Sequence, residues 1–154
     1  MSATHVWSES NGTGEVVTDS ITNINFGSTD APNLVPANFT IVAGENSFHK
    51  CIRCKFSGTF TSISNMKFWK SLGAYITGEA IKFICEASYS QPAETSLSGG
   101  ADIPVSEPGS ANITPVSIVA PGYTDYIKLQ EQTTGSTPAG NVNTKTFTFK
   151  YDET

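Results

Sequence analysis

Apolar and polar side chains alternate with a period of two along much of this chain. In "AIKFICEASY", Ile81, Phe83, Cys85, Ala87 and Tyr89 share one parity, while Lys82, Glu86 and Ser88 share the other. "TKTFTFKYDE" sets Phe147, Phe149 and Tyr151 against Thr146, Thr148 and Lys150, and "DYIKLQEQ" sets Ile127 and Leu129 between Tyr126, Lys128 and Gln130. "NFTIVA" offers Phe39 and Ile41 in the same way, and "ITNINFG" offers Ile24 and Phe26. Successive side chains of an extended backbone point to opposite faces, so each stretch predicts an antiparallel strand with one buried and one wet face. Phe83, Phe147 and Phe149 are accordingly expected in the core.

Helical spacing is nearly absent. In "SISNMKFWKSLGAYI" the apolar residues fall roughly at helical intervals, but Gly58, Gly73 and Gly78 bracket it tightly, which predicts a strand or one short turn. Short strands punctuated by Gly and Pro predict an all-β fold, an antiparallel β-sandwich of jelly-roll-like type. Two segments stand outside that pattern. Residues 1–20 are polar apart from Trp7 and the pair Val16 and Val17, and read as an N-terminal arm. Residues 90–122 hold five of the eight prolines and read as an extended Pro/Ser/Gly-rich loop excursion. The organisation expected is therefore an arm at 1–20 and a single sandwich domain over 21–154. Removing residues 1–15 is expected to leave a soluble, folded monomer that no longer assembles with its partner. Val16, Val17, Ile118 and Val119 then read as apolar anchors for a neighbour in otherwise polar surroundings.

The stretch richest in candidate chemistry is "FHKCIRCKF", residues 48–56. On a strand, Phe48, Lys50, Ile52, Cys54 and Phe56 share one face, and His49, Cys51, Arg53 and Lys55 the other. Cys51 and Cys54 therefore point to opposite sides and cannot grip one metal ion. A structural zinc site also needs four ligands, and only Cys85 and His5 remain. A redox pair needs its first thiol at a helix start, and this pair lies within a strand. Cys54 and Cys85 read instead as small core residues and Cys51 as a half-exposed thiol. There is no Gly-x-Ser-x-Gly elbow, phosphate-cradling glycine loop or His-Glu-x-x-His motif. For a Ser/His/Asp triad only His5 and His49 could serve, the one in the arm and the other flanked by lysine. Glu86, the acid most embedded in a strand, takes that strand's polar face. Trp7, Trp69, Tyr75, Tyr89, Tyr123 and Tyr126 could build a sugar-stacking platform, but no regular spacing isolates an aromatic row. The expectation is no enzyme, with no catalytic, cofactor-binding or metal-ligating residues and no cofactor.

Composition changes the picture in one respect. Charged residues are 15% of the 154, below the ~25% of ordinary soluble domains, and Thr, Ser, Asn and Gly take their place. Such a surface suits a protein partly covered by neighbours. The net charge of −5 is unevenly spread: residues 50–82 carry six cations against Glu79 alone. An acidic protein lacks the many phosphate contacts of a nucleic-acid binder. No apolar run reaches membrane-spanning length, and "MSATHVWSESNGTGEVV" has neither the basic nor the apolar region of a signal peptide. Synthesis in a reducing cytoplasm follows, which leaves the three Asn-x-Thr sequons without meaning.

The stretches "HVWSESNGTGEVVTDSITNINFGSTDAPN", "AGENSFHKCIRCKFSGTFTSISNMKFWKS" and "NTKTFTFKYDE", together most of the chain, resemble small virion proteins of tailed bacteriophages. The resemblance implies a β-sandwich without an active site, made in the bacterial host cytoplasm and located in the virion. Its implied role is capsid decoration, a cement protein that binds and stabilises the capsid lattice through its arm and loops. The alternative is a neck or tail accessory protein or a glycan-binding β-sandwich module of the virion. Implied partners are the major capsid protein or other virion proteins, with self-association or multi-copy assembly, and neither nucleic acid nor membrane. Relatives are expected to carry larger apolar residues where this chain has Cys51 and Cys54, which makes the cysteines incidental.

Overall fold

The structure, a computed structural model, describes residues 2–140 and 142–154. Among these are ten strands: β1 (Thr4–Asn11), β2 (Val16–Asp19), β3 (Lys50–Ser57), β4 (Ile63–Leu72), β5 (Ala80–Glu86), β6 (Ala101–Asp102), β7 (Ser117–Ile118), β8 (Gly122–Tyr123), β9 (Tyr126–Gln132) and β10 (Thr146–Glu153). They form two antiparallel sheets packed as a β-sandwich. The larger runs β2-β1-β3-β9-β5-β6 with β8 also paired to β3, and the smaller runs β10-β4-β7.

Register follows from the alternation. Ile52 of β3 lies opposite both Glu9 of β1 and Ile127 of β9, and Phe83 of β5 lies opposite Leu129. A one-residue slip would turn Ile52, Cys54 and Phe56 out into water. These three, with Ile81, Ile127 and Leu129, face Ile63 and the β4 pair Met66 and Phe68 across the sandwich, all essentially solvent-free. Phe83, Phe147 and Phe149 pack against that core but are only partly buried. Phe68 stacks on Phe147 at 5.6 Å and on Phe83 at 6.2 Å, so these two half-buried rings flank the buried Phe68 at the margin of the core.

Residues 1–20 are not an arm. β1 sits between β2 and β3, pairing Trp7 with Cys54 and His5 with Phe56. The inward positions after Trp7 are Glu9 and Asn11, which made this strand look polar. Glu9 and Lys50, both buried, meet at 3.0 Å inside the sandwich, where Lys50 also donates to the Ala31 carbonyl at 2.7 Å. Residue 3 is tied to the far end of the chain, its N–H donating to Glu153 Oε1 at 2.8 Å.

Residues 90–122 do not project as an excursion either. Their first part lies over the outer face of the large sheet, where His49 N–H donates to Ala93 O and the Gln130 amide to Thr95 O. Lys128, which reaches Ser90, and Gln130 are buried under that cover although the alternation places them in water, and Cys51, opposite Lys128, is buried as well. The next part follows β4: the Asn112 side chain accepts from Phe68 N–H and donates to Phe68 O, both at 2.8 Å, as a neighbouring strand would. Ile103, Ile113 and Ile118 are buried along this path, so Ile118 belongs to the core rather than to a contact surface. Nor do "ITNINFG" and "NFTIVA" form strands. They lie in the long β2–β3 connection, which contains one short 3₁₀ turn at Pro36–Asn38.

Candidate functional site

At one end of the sandwich, the β2–β3 connection faces the β9–β10 connection across an apolar cleft. Its larger chamber, about 460 Å³, is walled by Phe26, Phe39, Ile41, Val42, Pro138 and Val142, among others. A second chamber of about 320 Å³ shares Phe26, Pro36, Glu131 and Val142 with the first and adds Glu79 and Lys145. A few hundred Å³ is the usual size of a small-molecule site.

Glu131 stands at the junction of the two chambers. Inward positions along β9 are Ile127, Leu129 and then Glu131, so the carboxyl takes the next core position after Leu129, where the sheet runs out. Pairing with Ile81 and a bond from its own N–H to Ser47 Oγ at 3.0 Å fix its backbone. Two glycines bring the neighbours in. Gly73 has φ +89°, and a Cβ there would sit 2.2 Å from Thr144 O, so only glycine lets the 144–145 backbone approach β4's end. At Gly78, with φ +76°, a Cβ would strike Thr134 Oγ1 at 2.1 Å, so the turn that presents Glu79 can seat against the β9–β10 connection.

The result is two carboxylates and one ammonium in a water-poor place. Lys145 Nζ lies 2.6 Å from Glu79 Oε1, with both side chains buried, in a contact of charge rather than an aligned hydrogen bond. Glu79 Oε2 accepts from Ile76 N–H at 2.8 Å. Glu131 is only 5% exposed. Burial, followed by the neighbouring Glu79 charge, pushes its carboxyl up to about 7 against the opposing pull of Lys145. Near neutrality the cluster therefore readily exchanges one proton. Among the described residues, Glu131 is the charged group of the larger chamber, and the remaining wall is apolar or hydroxyl-bearing.

The other candidates are scattered. Cys51 and Cys54 lie on opposite faces of β3, both buried, and burial pushes each thiol up to about 12, so neither is a thiolate at neutral pH. Cys51 is thus not half-exposed, whereas Cys85 is partly exposed and contacts Thr114. No group of three potential metal ligands occurs among the described residues. His49 meets the Thr95 carbonyl through Nε2 at 2.8 Å, and burial lowers its pKa. His5 packs edge-on against Tyr151 and Phe149, and its Nδ1 meets the Tyr151 hydroxyl at 3.4 Å. Glu86 pairs with Lys128 on the outer face of the large sheet. Trp7 packs on Phe68 and Phe149, and Trp69 is buried in β4. Tyr123 and Tyr126 hold the Arg53 guanidinium between them at 4.4 and 4.2 Å from their ring centroids, with the Tyr89 ring tilted against Tyr126. Tyr75 lies by the acid cluster under Lys70 and Lys145. The six aromatics form no single row.

Sequence reasoning passed over Glu131, Glu79 and Lys145. A signal was present: Glu131 shares the parity of Ile127 and Leu129 in "DYIKLQEQ". A second surface feature complements the cleft. β2 lies at the edge of the large sheet, among the described residues pairs only with β1, and exposes Val16 and Val17. Val105, Val116 and Val119 are exposed on the segment that wraps the small sheet. Among the described residues no helix is long and apolar enough to cross a membrane. Compared with family models, with curated proteins and with solved structures, the chain matches none.

Proposed function

We propose that this chain is a non-enzymatic structural component of a bacteriophage virion, a decoration protein that binds the capsid lattice in many copies. The observation that carries the reading is the edge of the large sheet. β2 offers a row of strand groups unpaired among the described residues, beside Val16 at 67% exposure and Val17 at 40%. A free strand edge beside apolar side chains is what a neighbouring chain can extend. The exposed valines 105, 116 and 119 and the low surface charge support the same reading, as does the resemblance of the sequence to small phage virion proteins. Each contact is small, and repetition over a lattice supplies the avidity.

The test is reconstitution. Purified protein is added to capsids lacking it, and occupancy is read by electron microscopy and by mass spectrometry of sedimented particles. Binding to capsids, lost in a Val16→Ser/Val17→Ser variant with an unchanged melting temperature, is the expected result. Failure to join capsids, or full occupancy by the variant, refutes the assignment of the β2 edge. Occupancy confined to neck or tail particles would move the protein to another place in the virion.

A further inference from the structure

We infer that the cleft between the β2–β3 and β9–β10 connections is a binding site for an alkylammonium group carried on an apolar body, with Glu131 as its counter-ion. The inference does not rest on the assembly reading and would survive its failure.

Shape comes first. The larger chamber, at about 460 Å³, is roomy enough for an arylalkyl group and is walled by Phe26, Phe39, Ile41, Val42 and Val142. Val42 and Val142 are themselves exposed, so the chamber opens to solvent between apolar lips. An apolar wall with one convergent polar group is the usual design of a small-ligand site.

Charge sets the chemistry of the ligand. Glu131 is 5% exposed yet lines both chambers, and among the described residues no cation bonds to it directly. The titratable groups around it are Glu79 from the turn before β5, Lys145 from the stretch before β10, and Tyr75, whose ring carries Lys70 on one side. Lys70 is spent on the Gly73 carbonyl at 2.6 Å, and Lys145 on Glu79. Two carboxylates thus share one nearby ammonium, and the cluster is one cation short when both are ionised. An anionic ligand would meet a second negative charge in a poorly solvated place, and a neutral one would leave the carboxylate without a partner. While Glu131 is protonated it can bond to Glu79; once it is ionised that bond is lost, and a primary ammonium supplies both the charge and N–H donors in its place.

The experiment uses the full chain and three probes of one shape: 4-phenylbutylamine, 4-phenylbutanol and 4-phenylbutanoate. Binding is followed by amide chemical shifts and by calorimetry. The amine should perturb residues 39–43, 131–133, 137–140 and 142, and bind about ten-fold or more tighter than the alcohol, with the acid weakest. Glu131→Gln should abolish that preference while leaving alcohol binding unchanged. Should that variant misfold, two further measurements decide. Affinity for the amine should rise as pH goes from about 5.5 to about 8, because Glu131 ionises over that range while an alkylammonium stays charged. Phe39→Ser, at the rim, should weaken amine and alcohol alike. Nα-acetyl-lysine methylamide separates the two sources of an ammonium. If it binds more tightly than the arylalkylamine, the natural occupant is a neighbouring protein's lysine, and the reverse order points to a free amine. Equal affinity for amine and alcohol, an amine affinity flat with pH, or shifts confined to other parts of the fold would overturn the inference.

Discussion

Lys50 and Glu9 form an ion pair at the heart of a sheet, and replacing Lys50 by methionine isolates what that pair does. The lysine side chain is 2% exposed and the glutamate 0%, so no water stands ready to replace either partner. Methionine keeps the lysine's apolar stem as far as Cε but removes the ammonium and its bonds to Glu9 Oε1 at 3.0 Å and to Ala31 O at 2.7 Å. Glu9 would keep Asn11 Nδ2 at 3.0 Å on Oε1, while Oε2 already lacks a partner. Removing one member of a buried pair costs about 3–5 kcal/mol, roughly a fifth or more of an ordinary domain's stability. Burial already raises the Glu9 carboxyl, with Lys50 the main opposing influence, so the variant should raise it further. A carboxyl raised in the folded state stabilises below its unfolded pKa and ceases to do so as pH rises through its folded value. The penalty of Lys50→Met should therefore be largest near pH 8 and shrink toward pH 5, by up to about 1.4 kcal/mol per pH unit. Urea denaturation, followed by circular dichroism and by the fluorescence of Trp7 and Trp69, measures this directly, with an unchanged m-value showing that only stability moved. Adding Glu9→Gln to the variant should restore most of the loss. A Lys50→Met protein as stable as the parent at pH 8, or a penalty that does not vary with pH, would refute the reasoning.

Two further outcomes follow from the strand placements. Removing residues 1–11 should abolish cooperative folding, because it deletes β1 from between β2 and β3 and takes Trp7 and Glu9 with it. A truncated protein with a sharp melting transition would show that β1 is not integral. Glu131→Gln should become progressively more stable than the parent as pH rises. The parent's Glu131 moves from an ordinary 4.5 to about 7, so its contribution is full below about pH 4.5 and falls by on the order of 3 kcal/mol once pH passes about 7. Parallel stability–pH curves for the two proteins would count against a buried, proton-holding Glu131.

The strands with clean alternation were readable because each had one face against the core: β3, β5, β9 and β10 stand where the pattern put them. β1 was not readable, since its inward row continues from Trp7 into Glu9 and Asn11, and an ion pair formed across strands leaves no periodic apolar mark. "ITNINFG" and "NFTIVA" erred in the opposite direction. Phe26, Phe39 and Ile41 alternate as a strand would, yet their partners are the walls of a cleft and not a ladder. The burial of Cys51 also escaped local reasoning. On β3 its face is outward, opposite Lys128, and only tertiary neighbours such as Tyr89 and Tyr126, remote in sequence, lie close to it there. The acid cluster joins Glu79, Glu131 and Lys145 from three separate parts of the chain, and spacing says nothing about groups assembled by tertiary approach alone. The parity of Glu131 with Leu129 was the one local clue.

The bond from Ala3 to Glu153 has a practical side for anyone who would build with this fold. It holds the two ends of the described chain together on the sandwich, next to the pairing of Thr4 with Ser57 and of Glu153 with Ile63. Whatever is fused before residue 2 or after residue 154 leaves from the same spot. The domain is thus shaped to be spliced as a cassette into a surface loop of an unrelated host, entering and leaving through one narrow neck. A closed ring made by linking the two ends should need only a few glycines, and would melt higher than the open chain because its unfolded state has less freedom to gain.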